Sequence, residues 1–95
     1  MVRYIVLLKF TEQGAKNIQK STARAAAFRE TAAKVGATVE AQYWTTGFHD
    51  GALVFNAENE SAALRCIAAL AAAGNVRTQT LRAFDTKEFE AISGK

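Results

Sequence analysis

Tyr43-Trp44-Thr45-Thr46-Gly47-Phe48-His49-Asp50-Gly51-Ala52-Leu53-Val54-Phe55-Asn56 reads as a β-hairpin, two strand-forming runs hinged on a turn bounded by Gly47 and Gly51. It holds the only histidine and the only tryptophan of the 95 residues. The first strand of the hairpin starts upstream: from Thr38 to Thr46, Val39, Ala41, Tyr43 and Thr45 alternate with Glu40, Gln42, Trp44 and Thr46. One face leans polar, which suits a sheet edge. Ala52 to Phe55 is apolar on both parities, which suits a strand covered on both sides.

Two further strands flank the hairpin. Val2 to Phe10 is again apolar on both parities, with Val2, Tyr4, Val6, Leu8 and Phe10 against Ile5 and Leu7, and so is expected at the centre. Val76 to Phe84 alternates Val76, Thr78, Thr80 and Arg82 with Arg77, Gln79, Leu81 and Ala83, and is expected at an edge.

Helices fill the gaps. Thr11 caps a short helical turn through Glu12 to Gln19. Ser21 or Thr22 caps a longer helix running to Val35, stopped by Gly36, with Ala25, Phe28, Ala32 and Val35 as its apolar stripe. Asn59 caps a helix from Glu60 to Ala73, stopped by Gly74. Its inner stripe is expected to be Ala63, Leu64, Ile67, Leu70 and Ala71, leaving Ala62, Ala69, Ala72 and Ala73 outside. That outer face is bare for a solvated surface and suits either high helix propensity or close packing on another subunit. A final helix opens with an Asp85–Glu88 capping box and a Phe84–Phe89 staple.

The order β-α-β-β-α-β, plus an extra turn and a C-terminal helix, predicts an α+β ferredoxin-like sandwich over residues 1–95 as one domain. Its first and third strands are central there, as the burial pattern independently requires. Helices cover one face of such a sheet. Ile5, Leu7, Ala52 and Val54 then form an apolar centre on the other, expected to be rimmed by Glu40, Gln42, Trp44, Arg77 and Gln79. This predicts a homodimer packed sheet to sheet, with a higher oligomer through the alanine-rich helix as a second contact.

Composition narrows the function classes. The net charge is +3, and the basic residues are scattered rather than clustered as a nucleic-acid footprint requires. The lone Cys66 excludes an internal disulfide and fits a reducing cytoplasm. No apolar run approaches the ~18 residues of a membrane span. One histidine, one cysteine and dispersed carboxylates give no metal-ligand spacing, and the isolated glycines make no phosphate loop, so no metal or cofactor is expected.

The chemistry-bearing candidates are few. His49 is the natural acid–base group, since its unperturbed pKa lies near neutrality. Asp50 partners it only if the turn breaks strand alternation; otherwise Asp50 bonds turn backbone. Tyr4 and Tyr43 are expected to share a face with Thr45, Thr78 and Thr80, either in a half-polar cleft or bonded within the core. Trp44 serves as stacking platform or interface anchor, and Arg77 as a carboxylate or phosphate contact or a surface ion pair.

The stretches Leu7-Leu8-Lys9-Phe10-Thr11-Glu12-Gln13-Gly14, Gly47 to Asp50, and Gly74-Asn75-Val76-Arg77-Thr78-Gln79-Thr80-Leu81-Arg82-Ala83-Phe84 resemble the GYD-domain family of small bacterial proteins. That family's motif reads Gly, a variable residue, Tyr, Asp. Gly47 and Asp50 fit it, whereas His49 stands where the tyrosine is expected. The resemblance implies a ferredoxin-like domain forming dimers or larger rings, and no particular activity. Residues and resemblance together favour a homo-oligomeric module that binds a small ligand or a protein. The alternative is a cofactor-free enzyme for a small metabolite, aromatic ones included, with His49 as acid or base.

Overall fold

Strands that are apolar on both faces belong inside a sheet, and both such strands lie there. The computed structural model describes residues 1–94. Strands β1 (Val2–Phe10), β2 (Ala37–Trp44), β3 (Gly51–Ala57) and β4 (Val76–Ala83) form one four-stranded sheet in the order β2-β3-β1-β4. All neighbours are antiparallel. Helices α1 (Glu12–Lys16), α2 (Ser21–Lys34), α3 (Glu60–Ala73) and α4 (Thr86–Ser93) complete the α+β sandwich, with a 3₁₀ turn over Ile18–Lys20 leading into α2.

The core lies between one sheet face and α2 and α3. Val6, Leu8, Val39, Leu53 and Phe55 point into it from the sheet, and Phe28, Ala32, Ala62, Ala63 and Cys66 meet them. The side chains opposite, Ile5, Leu7, Ala52 and Val54, are only half-buried and line the open face. On β4, Leu81 pairs with Ile5 and Gln79 with Leu7, so they continue that face.

The capping signals largely hold. Thr11 accepts from Gly14 N, Asn59 accepts from Ala62 N, and Asp85 and Glu88 form the reciprocal box. Gly74 ends α3 with φ +77°. Helix α2 is the exception: Ser21 is its first helical residue, preceded by Lys20 with no side-chain cap. The Ser21 hydroxyl instead accepts a 2.9 Å hydrogen bond from Trp44 Nε1.

Strand β2 departs from simple alternation. Its register against β3 shifts between Val39 and Ala41, leaving Glu40 as the extra residue of a bulge. Val39 sits opposite Phe55, but Ala41 sits opposite Val54 and Gln42 opposite Leu53. Every side chain beyond the bulge therefore changes face. Gln42 and Trp44 belong to the helix side rather than the open-face rim, and Tyr43 pairs with Ala52 on the open side, away from Tyr4. Two contacts pin the bulge: Arg29 Nη1 donates to Val39 O at 3.2 Å, and Asn56 Nδ2 donates to the Glu40 carboxylate.

Helix α3 is also turned from the expected orientation. Ala62 and Cys66 are buried, whereas Leu64 is 68% exposed and Ala71 is exposed. Its outer face is Leu64, Ala68, Ala71 and Ala72, and Ala69 turns partly inward. Alanine at seven of its fourteen positions weakens the contrast that fixes a helix's rotation.

Candidate ligand-binding cavity

Small side chains on the facing helices leave space above the sheet. Ala25 on α2 and Ala69 and Ala73 on α3 border a cavity of about 310 Å³, floored by Leu8, Leu53 and Phe10 and flanked by Phe28 and Leu70. That size lies at the low end of small-molecule sites, which run about 300–1,000 Å³. Polar groups enter the apolar wall at few points: Arg24, Thr31, Gln42, Asp50, Asn75 and the Ser21–Trp44 pair.

Arg24 Nη1 donates to Asn17 O at 2.9 Å, which ties α2 to the preceding turn. Its Nη2 is shut off from solvent and has no hydrogen-bond partner among the described residues; the same is true of Gln42 Oε1. Neither atom has surface that a water molecule can reach, so Arg24 and Gln42 border the cavity through their other atoms. The bulge at Glu40 is what delivers Gln42 there.

Asp50 borders the cavity with a structural task already assigned. Its Oδ2 accepts the Phe10 N–H at 2.8 Å, and its own N–H donates to Leu8 O at 2.8 Å. The carboxylate thus extends the β1–β3 ladder beyond the Leu8–Gly51 pair, binding a neighbouring strand rather than its own turn. His49 is half-buried in the turn, edge-on to Phe48 with ring centroids 5.0 Å apart, and does not border the cavity. No hydrogen bond joins His49 to Asp50 among the described residues. Thr45 Oγ1 donates to His49 O at 2.7 Å, and Lys9 Nζ lies 4.5 Å over the Phe48 ring, so backbone and aromatic contacts hold the turn.

The structure therefore gathers Tyr43, Trp44 and Asp50 at one cavity and leaves Tyr4, His49 and Arg77 outside it. Tyr43 borders it from a strand position whose partner, Ala52, faces the open side. Tyr4 stacks on Phe55 at 5.4 Å and, with Thr80, borders a smaller hollow of about 170 Å³. Arg77 is exposed on the open face, paired with Lys9. Arg24 and Gln42 escape a reading of the sequence. Arg24 lies four residues before Phe28, one helical turn along the same side of α2, and that spacing was the available signal.

Cys66 is fully buried in α3 and does not border the cavity; burial pushes its thiol pKa up, which disfavours the nucleophilic thiolate. No group of three or more His, Cys, Asp or Glu among the described residues is placed to hold a metal ion. No helix among them is long and apolar enough to cross a membrane.

The profile of the GYD domain matches residues 4–93, nearly the whole chain. The chain belongs to the GYD family. No curated protein and no solved structure gives a significant match. In this GYD-domain protein the aspartate that fits the motif, Asp50, closes the β1–β3 ladder, and His49 beside it lies outside the cavity.

Proposed function

We propose that this GYD-domain protein is a homo-oligomeric binding module that takes a small, mainly apolar molecule between its helices and its sheet. The cavity of about 310 Å³, walled mainly by apolar side chains with a few polar residues among them, carries this reading. No imidazole or thiol among the described residues borders that cavity, and its carboxylate, Asp50, is engaged by Phe10 N–H, which favours binding over acid–base or nucleophilic turnover.

Self-association is supported by the open face. Ile5, Leu7, Ala52, Val54 and Leu81 make an apolar centre, with Glu40, Arg77 and Gln79 at its margins. Helix α4 adds to that surface: Arg3 ties its first turn to the sheet through Glu88 at 2.9 Å, while Phe89 and Ile92 stand exposed. The occupant that suits both is a second copy, whose sheet covers the first and whose flank receives α4. The outer alanines of α3 offer a further contact for larger assemblies.

The ligand reading is tested by filling the cavity. Ala69→Leu is expected to raise the Tm and to abolish the thermal shift given by a fragment library on the parent protein. A library response unchanged in Ala69→Leu contradicts binding at this site.

A further inference from the structure

We propose that a second copy of the chain covers the open sheet face in one orientation, strands crossing near a right angle and each Glu40 paired to the partner's Arg77. This rests on the self-association reading above. Glu40 is the only acidic residue in the four strands. Its carboxylate accepts from Asn56, which stands opposite Arg3 on the open side, so Glu40 belongs to that face. The strands carry four cations, Arg3, Lys9, Arg77 and Arg82, and three are engaged. Arg3 takes Glu88 and Asp85, Lys9 Nζ donates to Phe48 O at 2.9 Å, and Arg82 donates to Arg3 O and Ala83 O. Arg77 is exposed, and the ion pairs among the described residues all belong to Arg3. Arg77 also stands directly opposite Lys9, and like charges facing across two strands destabilise a sheet. That corner calls for a carboxylate, and the protomer's own Glu40 is out of reach.

The separation of the two charges sets the angle. Glu40 bulges from β2 between the levels of Tyr4 and Ile5, and Arg77 on β4 is level with Lys9. They are diagonal corners, about 14 Å apart across three strand spacings and about 15 Å apart along the strands, four to five residues. A two-fold axis relating facing sheets lies in the plane between them. To set Glu40 over the partner's Arg77 it must run along the other diagonal. Because the two offsets are nearly equal, the strands then cross near 90°, one of the two angles at which sheets pack. The axis passes over the Leu7–Ala52 pair in the apolar centre and leaves the face near Leu81, 40% exposed, so residues meeting their own copies are uncharged. With strands aligned instead, Glu40 lies over the partner's Leu81 and Arg77 meets no carboxylate. Glutamate and arginine side chains together reach across the ~10 Å between packed sheets. Charges at an interface margin fix orientation more than affinity.

Sedimentation and native mass spectrometry of charge-reversed variants test this. Arg77→Glu and Glu40→Arg each set like charges together at both symmetric contacts, and each is expected to raise the dimer Kd at least about tenfold. The double variant Glu40→Arg/Arg77→Glu should return close to the parent. After subunit exchange, an equal mixture of the two single variants should favour the heterodimer, in which opposite charges meet at both contacts. A variant that had lost its fold could not be rescued in this way. Glu40→Arg also removes the Asn56 contact at the bulge, so Arg77→Glu, which has no ion pair in the protomer to lose, and the mixture carry the decision. A parent-like Kd for Arg77→Glu, or a statistical mixture of dimers, overturns this orientation; if Val54→Asp still dissociates the dimer, the sheet-face interface stands. A Val54→Asp dimer as tight as the parent, or a parent that stays monomeric, overturns both readings.

Discussion

Asp50 and Phe10 are joined where the β1–β3 ladder runs out, the aspartate Oδ2 accepting the Phe10 N–H at 2.8 Å. A side chain here replaces a strand carbonyl, and the same residue's N–H completes the join through Leu8 O. Asp50→Ala is expected to leave the part-buried Phe10 N–H unpaired and to cost about 1–3 kcal/mol. Asp50→Asn keeps an acceptor and should recover much of the loss. Urea unfolding of the two variants checks this, and equal stability of Asp50→Ala and the parent would remove the structural role.

Gly14 is the close-approach point of α1. A Cβ there would lie 2.0 Å from the Asn75 carbonyl oxygen, a backbone atom with no freedom to swing aside. Around it, Thr11 N donates to Asn75 O at 3.1 Å and Thr11 Oγ1 donates to Gly74 O at 2.7 Å, so α1 clasps the α3–β4 junction. Gly14→Ala should destabilise by about 1–3 kcal/mol or more, the usual range for overpacking. Helix propensity alone predicts a gain of up to about 1 kcal/mol, so the sign of the change in Tm decides between them.

Cys66 gives the fold a pH dependence with a defined sign. Burial raises the folded-state pKa, so above the unfolded value of ~8.5 the unfolded chain has released a proton that the folded chain retains. The stabilisation is complete below that value and is lost as pH rises toward the folded pKa. Urea midpoints of the parent should therefore fall more steeply between neutral and alkaline pH than those of Cys66→Ala. Parallel curves would contradict this.

The proposed sheet-to-sheet dimer is tested at Val54, which faces Ile5 and Ala41 across the open side. Val54→Asp should convert the native mass from dimer to monomer by light scattering, or drive aggregation. An intact dimer would place the interface elsewhere. On α3, Ala68→Arg addresses the outer face without entering the cavity and should break any assembly larger than a dimer.

Much of this architecture is legible in the chain because its strands speak in period two. Val6 and Leu8 against Ile5 and Leu7 put β1 at the centre, and Gly74 and the Asp85–Glu88 pair mark helix ends by local chemistry. The bulge is not legible. Nothing in Val39-Glu40-Ala41 signals an extra residue, because Arg29 on a helix and Asn56 on the next strand are what hold it. One inserted residue exchanges the faces of Gln42, Tyr43 and Trp44, so the polar wall of the cavity was hidden with it. The rotation of α3 was hidden for a different reason: seven of its fourteen positions are alanine, and the remaining apolar residues, Leu64, Cys66, Ile67 and Leu70, point around the helix.

The cavity as a binding site is tested most directly by mapping backbone amide shifts in an NMR titration of the parent protein with a library fragment that raises its Tm. The account predicts saturable shifts concentrated at Arg24, Phe28, Gln42, Gly51 and Ala69, on both walls of the cavity and absent in Ala69→Leu. Shifts centred on Phe48 and His49 would contradict it, and would return the chemistry of this protein to its single histidine.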